Sequence, residues 1–185
     1  MYERYREESR RAIFFAVREA RQAASGYIEP EHLLLSLTHD ADSKANQLFA
    51  LAAHAESFRQ QLGSHASAKS PTSSVDLPLS NAGKRILAYA VQEADKLASQ
   101  PIGTEHLLLG LLREKKSDVP QALAKAGIDL RSARNRIRAA QGLPILGQEL
   151  DDRETSLRPL RPFAAFALLI VVLSLFYLLV KLAES

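Results

Sequence analysis

The residues best suited to chemistry are two Glu-His pairs, Glu31-His32 and Glu105-His106. A carboxylate beside an imidazole can move a proton, hold a metal or pair with a cation. A zinc hydrolase site needs a second His one helical turn away, and each of these His residues lacks one. Each imidazole is therefore read as a structural group that hydrogen-bonds within its own stretch of chain. His39-Asp40-Ala41-Asp42 reads as a helix end and turn, not a ligand cluster. Gly83-Lys84-Arg85 echoes a nucleotide-binding loop, but no G-x-x-x-x-G-K-[ST] occurs, and the tripeptide reads as a basic helix start. The absence of Cys excludes disulfides, thiol catalysis and thiolate metal sites. No Ser, His and Asp set stands out. The sequence thus names no catalytic residue, no metal and no cofactor, and an enzyme is not expected.

The two pairs are placed by a duplication. Ala16-Val17-Arg18-Glu19-Ala20 returns as Ala90-Val91-Gln92-Glu93-Ala94. Ile28-Glu29-Pro30-Glu31-His32-Leu33-Leu34-Leu35-Ser36-Leu37 returns as Ile102-Gly103-Thr104-Glu105-His106-Leu107-Leu108-Leu109-Gly110-Leu111. One offset of 74 residues serves both comparisons. A two-copy repeat of this length points to two packed lobes, not a solenoid.

Each copy reads as helices. Ile13, Ala16, Val17, Ala20 and Ala24 recur at helical spacing, as do Ile86, Leu87, Ala90, Val91, Ala94 and Leu97. Gly26 is expected to stop the first long helix. Pro30 suits a first helical turn, and Glu31 and Glu105 fall in first turns, where a negative charge meets the positive helix end. Val119 to Lys125 reads as a helix ending at Gly127, and Asp129 can cap the next one, running to Ala140. The first copy carries Ala53 and His54 where Gly127 would fall and is one residue shorter there. The fold class is all-α with four helices per copy: repeat one at about 1–63, a polar linker at 64–77, and repeat two at about 78–142.

The rest of the chain is different. A Pro- and Gly-containing linker covers 143–162, and from Phe163 to Val180 no charged residue appears. At about 1.5 Å per residue, the run to Leu182 matches a bilayer core of about 30 Å, so 163–182 is expected to be a transmembrane helix. Arg153, Arg158 and Arg161 precede it and only Lys181 follows, which places the N-terminal side in the cytoplasm. A single-pass protein of the cytoplasmic (inner) membrane is expected. The N-terminus, from Met1 to Glu8, is too charged for a secretory signal. Across the whole chain 24 basic residues are interspersed with 21 acidic ones, which does not point to nucleic acid. No small-molecule substrate is expected.

The long helix, then Ile102 to Glu114, then a short helix ending in Ala126-Gly127-Ile128-Asp129-Leu130, resembles the repeat of the Clp ATPase N-terminal domain (Clp N or Clp R, of the ClpC, ClpA and ClpB type). The resemblance covers roughly residues 1–142 and implies two four-helix repeats related by pseudo-twofold symmetry. In that family the domain sits on protein-unfolding ATPases and receives substrates and adaptors. Here the AAA+ modules are not seen. In ClpC-type relatives, the Glu of each motif and a hydroxyl residue at the start of the preceding long helix form a phosphoarginine pocket. The resemblance carries this onto Glu31 and Glu105, with Ser80 as the second copy's hydroxyl. Arg6 stands where the first copy's Thr would be; a cation there either assists a phosphate or neutralises Glu31. The bland alternative is that both Glu residues merely serve helix starts.

The expected function is a membrane-anchored module that binds proteins or peptides, a substrate receptor or adaptor in protein quality control. Its expected partners are client proteins or Clp ATPase and protease components. The alternative is a scaffold that docks Clp-type complexes at the membrane without clients of its own.

Overall fold

The computed structural model describes residues 3–63 and 77–145. The expected linker and transmembrane helix therefore lie outside the described residues, apart from the linker's last position and residues 143–145. Among the described residues no helix is long and apolar enough to cross a membrane.

The apolar spacing produces a long amphipathic helix at the head of each copy, α1 (Glu7–Gln22) and α5 (Asn81–Lys96). Their buried faces are built from Ala16 and Ala20 in one and Ile86, Ala90 and Ala94 in the other. Each is followed by a Leu-rich helix, α2 (Pro30–Leu37) and α6 (Thr104–Arg113). Next come α3 (Lys44–Phe49) and α7 (Val119–Lys125), then α4 (Ala55–Leu62) and α8 (Leu130–Ala140). A 3₁₀ turn over Leu51–His54 enters α4, at the place where the second copy uses Gly127 at φ 75°. The described residues thus form an all-α fold of eight α-helices, with no strand.

α2 and α6 are almost wholly buried and pack against each other, with Leu34 and Leu108 both fully enclosed. Thr104 adds a bond between the copies, its Oγ1 accepting the Ala45 N–H at 3.0 Å. This satisfies one of the donors that a helix start leaves unpaired. Asp129 caps α8 by accepting from the N–H groups of Arg131 and Ser132.

One expectation is corrected. α1 ends at Gln22, before Gly26, and the left-handed residue is Ala24 at φ 50°. Ala98 repeats this at φ 48° after α5. In both places a reversed hydrogen bond closes the end, Ser25 N–H to Ala20 O and Ser99 N–H to Ala94 O, each at 2.9 Å. The closing bond specifies the turn, and an Ala is held where Gly would be unstrained.

Candidate functional site

Each copy's chain start is laid against the other copy. Tyr5 pairs with Ile102 and Ile28 with Leu79, each as a single parallel bridge. Arg6 N–H donates to Ile102 O at 2.9 Å, and Ser80 N–H donates to Ile28 O at 3.1 Å. The start of α1 therefore stands beside the start of α6, and the start of α5 beside the start of α2. The sequence reading joined Glu31 with Arg6 and Glu105 with Ser80. The structure crosses them: the charge of Arg6 acts on Glu105, and Ser80 shares a cavity with Glu29.

At the first half-site, Arg6 occupies the N-cap of α1 but its side chain makes no cap bond. Glu105 is 2% exposed, and its Oε2 has no hydrogen-bond partner. Burial pushes its carboxyl above the usual range, against the opposing pull of Arg6 and Lys44. The side chain is folded back over Gly103, where a Cβ would run into the carboxylate. The first copy has Glu29 at that position, so Glu31 has no such space and stays half-buried.

At the second half-site, Ser80 caps α5, its Oγ accepting the Gly83 N–H at 3.0 Å. An open cavity of about 490 Å³ is lined by Tyr27, Glu29, Leu79, Ser80, Asn81 and Lys84, among others. Glu31 lines a neighbouring space of about 180 Å³ with Glu29, Ala82 and Lys116. The structure thus brings Ser80 to Glu29 and sets Glu31 in the adjoining cavity.

Both imidazoles are structural. His32 Nδ1 accepts the Glu29 N–H at 3.0 Å, and His106 Nδ1 accepts the Gly103 N–H at 2.9 Å. Burial lowers the pKa of each; that of His106 falls to about 4, with Arg6 adding to the effect. Among the described residues no group of three or more His, Cys, Asp or Glu could hold a metal ion.

The sequence reading missed a duplicated buried ion cluster. Glu19 and Glu93 are 3% and 1% exposed. Arg59 grips Glu19 through two bonds of 3.0 and 3.2 Å, and His39 Nε2 lies 2.6 Å from its Oε1. Glu93 is held by Arg134 at 2.6 and 2.7 Å, by Arg113 at 3.0 Å, and by Lys96 at 3.6 Å. Burial alone would raise both carboxyls, but these cations hold them below the usual range. The ring partners repeat too: Phe15 stacks on His39, and Arg113 lies over Tyr89. The available signal was the recurrence of Glu19 and Glu93 on otherwise apolar helix faces.

A third feature bridges the copies. An apolar groove of about 330 Å³ is lined by Tyr5, Leu79, Leu87, Ala88, Val91 and Ile102, with Arg4 and Lys84 at its edges. Phe14, the repeat equivalent of Ala88, is 70% exposed on α1.

A duplicated all-α unit whose halves exchange their chain starts defines the class. The sequence matches the Clp repeat (R) N-terminal domain family over residues 4–126 and 79–144, and the chain belongs to that family. It is 30% identical over 138 residues to an ATP-dependent Clp protease ATP-binding subunit ClpA homolog of Guillardia theta, covering 74% of this chain and 17% of that one. The chain thus spans under a fifth of that relative's length. Its fold is similar to the N-terminal domain of the chaperone ClpD from Arabidopsis thaliana (TM-score 0.61, 21% identity, 77% of this chain and 97% of that one). It is also similar to the Hsp104 N-terminal domain from Candida albicans (TM-score 0.60, 16% identity, 77% and 94%).

Proposed function

We propose that this Clp repeat domain captures protein or peptide clients as a receptor or adaptor, and that the segment 163–182 holds it at the cytoplasmic face of a membrane. The observation that carries the reading is the apolar groove shared by Tyr5, Leu79, Leu87 and Ile102 in a member of this family. Apolar walls of this kind suit an exposed hydrophobic segment of a client. Anchoring raises the local concentration of whatever is bound, independently of intrinsic affinity. Clp ATPase or protease components are the partners that would take clients onward. The domain acts by binding, with no catalysis, cofactor or nucleic acid.

The phosphoarginine reading rests on the Ser80 half-site, where the helix start is open and Glu29 and Lys84 flank it. The other half-site is unsuited, because Glu105 is turned inward beside Arg6.

The test places a photo-crosslinking residue at Ala88 of the full chain in intact cells. Crosslinks to unfolded proteins or Clp subunits are expected, and they should be lost with Leu87→Asp. A crosslink pattern unchanged by Leu87→Asp, or no protein crosslink at all, overturns the reading.

A further inference from the structure

The duplication lets one long helix serve as the reference for the other. α1 and α5 bury the same six positions, Ser9, Ala12, Ile13, Ala16, Glu19 and Ala20 in one and their equivalents in the other. What differs on their exposed sides is therefore not dictated by the fold. Phe14, Arg18 and Arg21 stand on α1 where α5 has Ala88, Gln92 and Asp95. Their spacing of four and three residues sets them on one helix face, and Arg10 and Arg11 lie one turn earlier on it. All five are exposed, so an aromatic ring at 70% exposure sits among four arginines.

Phe14 lines none of the cavities described above, and among the described residues its ring meets Phe15 edge-on at 6.4 Å between centres. The cations beside it keep donors to spare. Arg10 bonds Glu7 at 2.6 Å and Arg11 bonds Asp40 at 2.8 Å, each through Nη2, with 50% and 55% of the side chain still exposed. A guanidinium has five N–H donors, so each can bond a phosphate oxygen without releasing its carboxylate. A second copy of the chain is a poor partner, because two such faces would set arginine against arginine. A rigid protein would have to offer a pocket for a convex ring, whereas a lipid surface yields to it. A ring at headgroup depth, with arginines reaching the phosphates around it, is how a helix face holds to an anionic interface.

We infer that this face of α1 docks on an anionic bilayer surface, with Phe14 inserted at headgroup level and Arg10, Arg11 and Arg18 on lipid phosphates. The inference is independent of the groove assigned to clients, and it does not require the segment 163–182 to be an anchor.

The chain has no Trp, so Phe14→Trp gives it a single indole at the site. The full chain with this change is purified in detergent and transferred to vesicles of brominated phosphatidylcholine, alone or mixed with phosphatidylglycerol. Blue-shifted emission and quenching by bromine are expected in the anionic vesicles and not in the neutral ones. Arg18→Gln supplies the residue of the second repeat. With Arg10→Gln it should weaken docking by about fivefold per charge, read as more phosphatidylglycerol needed for half-maximal quenching. Both positions are exposed, so the fold is kept. Ala88→Trp, the equivalent on α5, should stay unquenched. Flotation with neutral vesicles reports the 163–182 anchor separately. No quenching in anionic vesicles, equal quenching in neutral ones, equal quenching at Ala88→Trp, or no effect of the two Arg changes overturns the inference. So does a blue shift produced by soluble glycerophosphate alone, or one produced in neutral vesicles by a Trp-free unfolded protein such as reduced, carboxymethylated ribonuclease A.

Discussion

His39 and Arg113 hold the same place in the two repeats, each bonded to the buried carboxylate of its own long helix. His39 Nε2 lies 2.6 Å from Glu19, and Arg113 Nη1 lies 3.0 Å from Glu93. The place filled by a guanidinium in one cluster is thus filled by an imidazole in the other.

Removing the carboxylates tests this asymmetry. Glu93→Gln strands Arg134, Arg113 and Lys96, whereas Glu19→Gln strands a single arginine and a His. Breaking a buried pair costs roughly 3–5 kcal/mol, and Glu93→Gln should reach that range while Glu19→Gln costs less. Both native carboxyls titrate below the usual range. Their stabilisation is complete above an unfolded pKa of about 4.5 and is lost as pH falls through the folded values. Urea unfolding between pH 3 and 7 should show a shallower acid loss in each variant.

Arg6 gives a sharper electrostatic prediction. It pulls the Glu105 carboxyl down and pushes the His106 imidazole down. Arg6→Ala should move both pKa values upward, that of His106 from about 4 toward the usual 6.5. NMR titration of the His106 ring reads this directly; an unchanged value would mean that Arg6 points away.

His106 also links pH to stability. Its folded pKa is depressed, so its neutral burial is fully favourable above about 6.5. That contribution falls as pH drops, because the unfolded chain gains the proton first. The loss is complete near pH 4 and amounts to roughly 3 kcal/mol. Glu105 works in the opposite sense: its raised pKa means that protonation on acidification favours the folded state. Glu105→Gln should therefore stabilise the fold at neutral pH and leave a steeper acid loss below 6.5.

Backbone crowding supplies two further tests. A Cβ at Gly110 would lie 2.5 Å from Ile86 O and 3.2 Å from Ala90 N, so Gly110→Ala should destabilise by about 1–3 kcal/mol. Ala98 sits at φ 48°, and Ala98→Gly should stabilise by roughly 0.5–1 kcal/mol. Thermal melts of the two variants should move in opposite directions.

The helices were legible because their signals are local. The apolar spacing of α1 and α5, the Pro30 start, the Asp129 cap and the Gly127 turn can each be read within a few residues. The end of α1 was misplaced because Gly26 is the better residue for a left-handed turn, while the bond from Ser25 to Ala20 fixes it at Ala24. The crossed half-sites were not legible. Nothing near Arg6 in the sequence says that it will stand beside Glu105, 99 positions along, and not Glu31. The partners of Glu19 and Glu93 were hidden for the same reason: Arg59 and Arg134 arrive from distant helices, and nothing local marks them.

The exchanged chain starts have a consequence for how such a molecule can arise. Tyr5 reaches Ile102 while Leu79 reaches Ile28, so the same surface is used twice in opposite directions. That is the arrangement of an isologous homodimer whose subunits have been joined end to end. Residues 78–142 made as a separate polypeptide would present a vacant partner surface, and should self-associate into pairs instead of persisting as monomers.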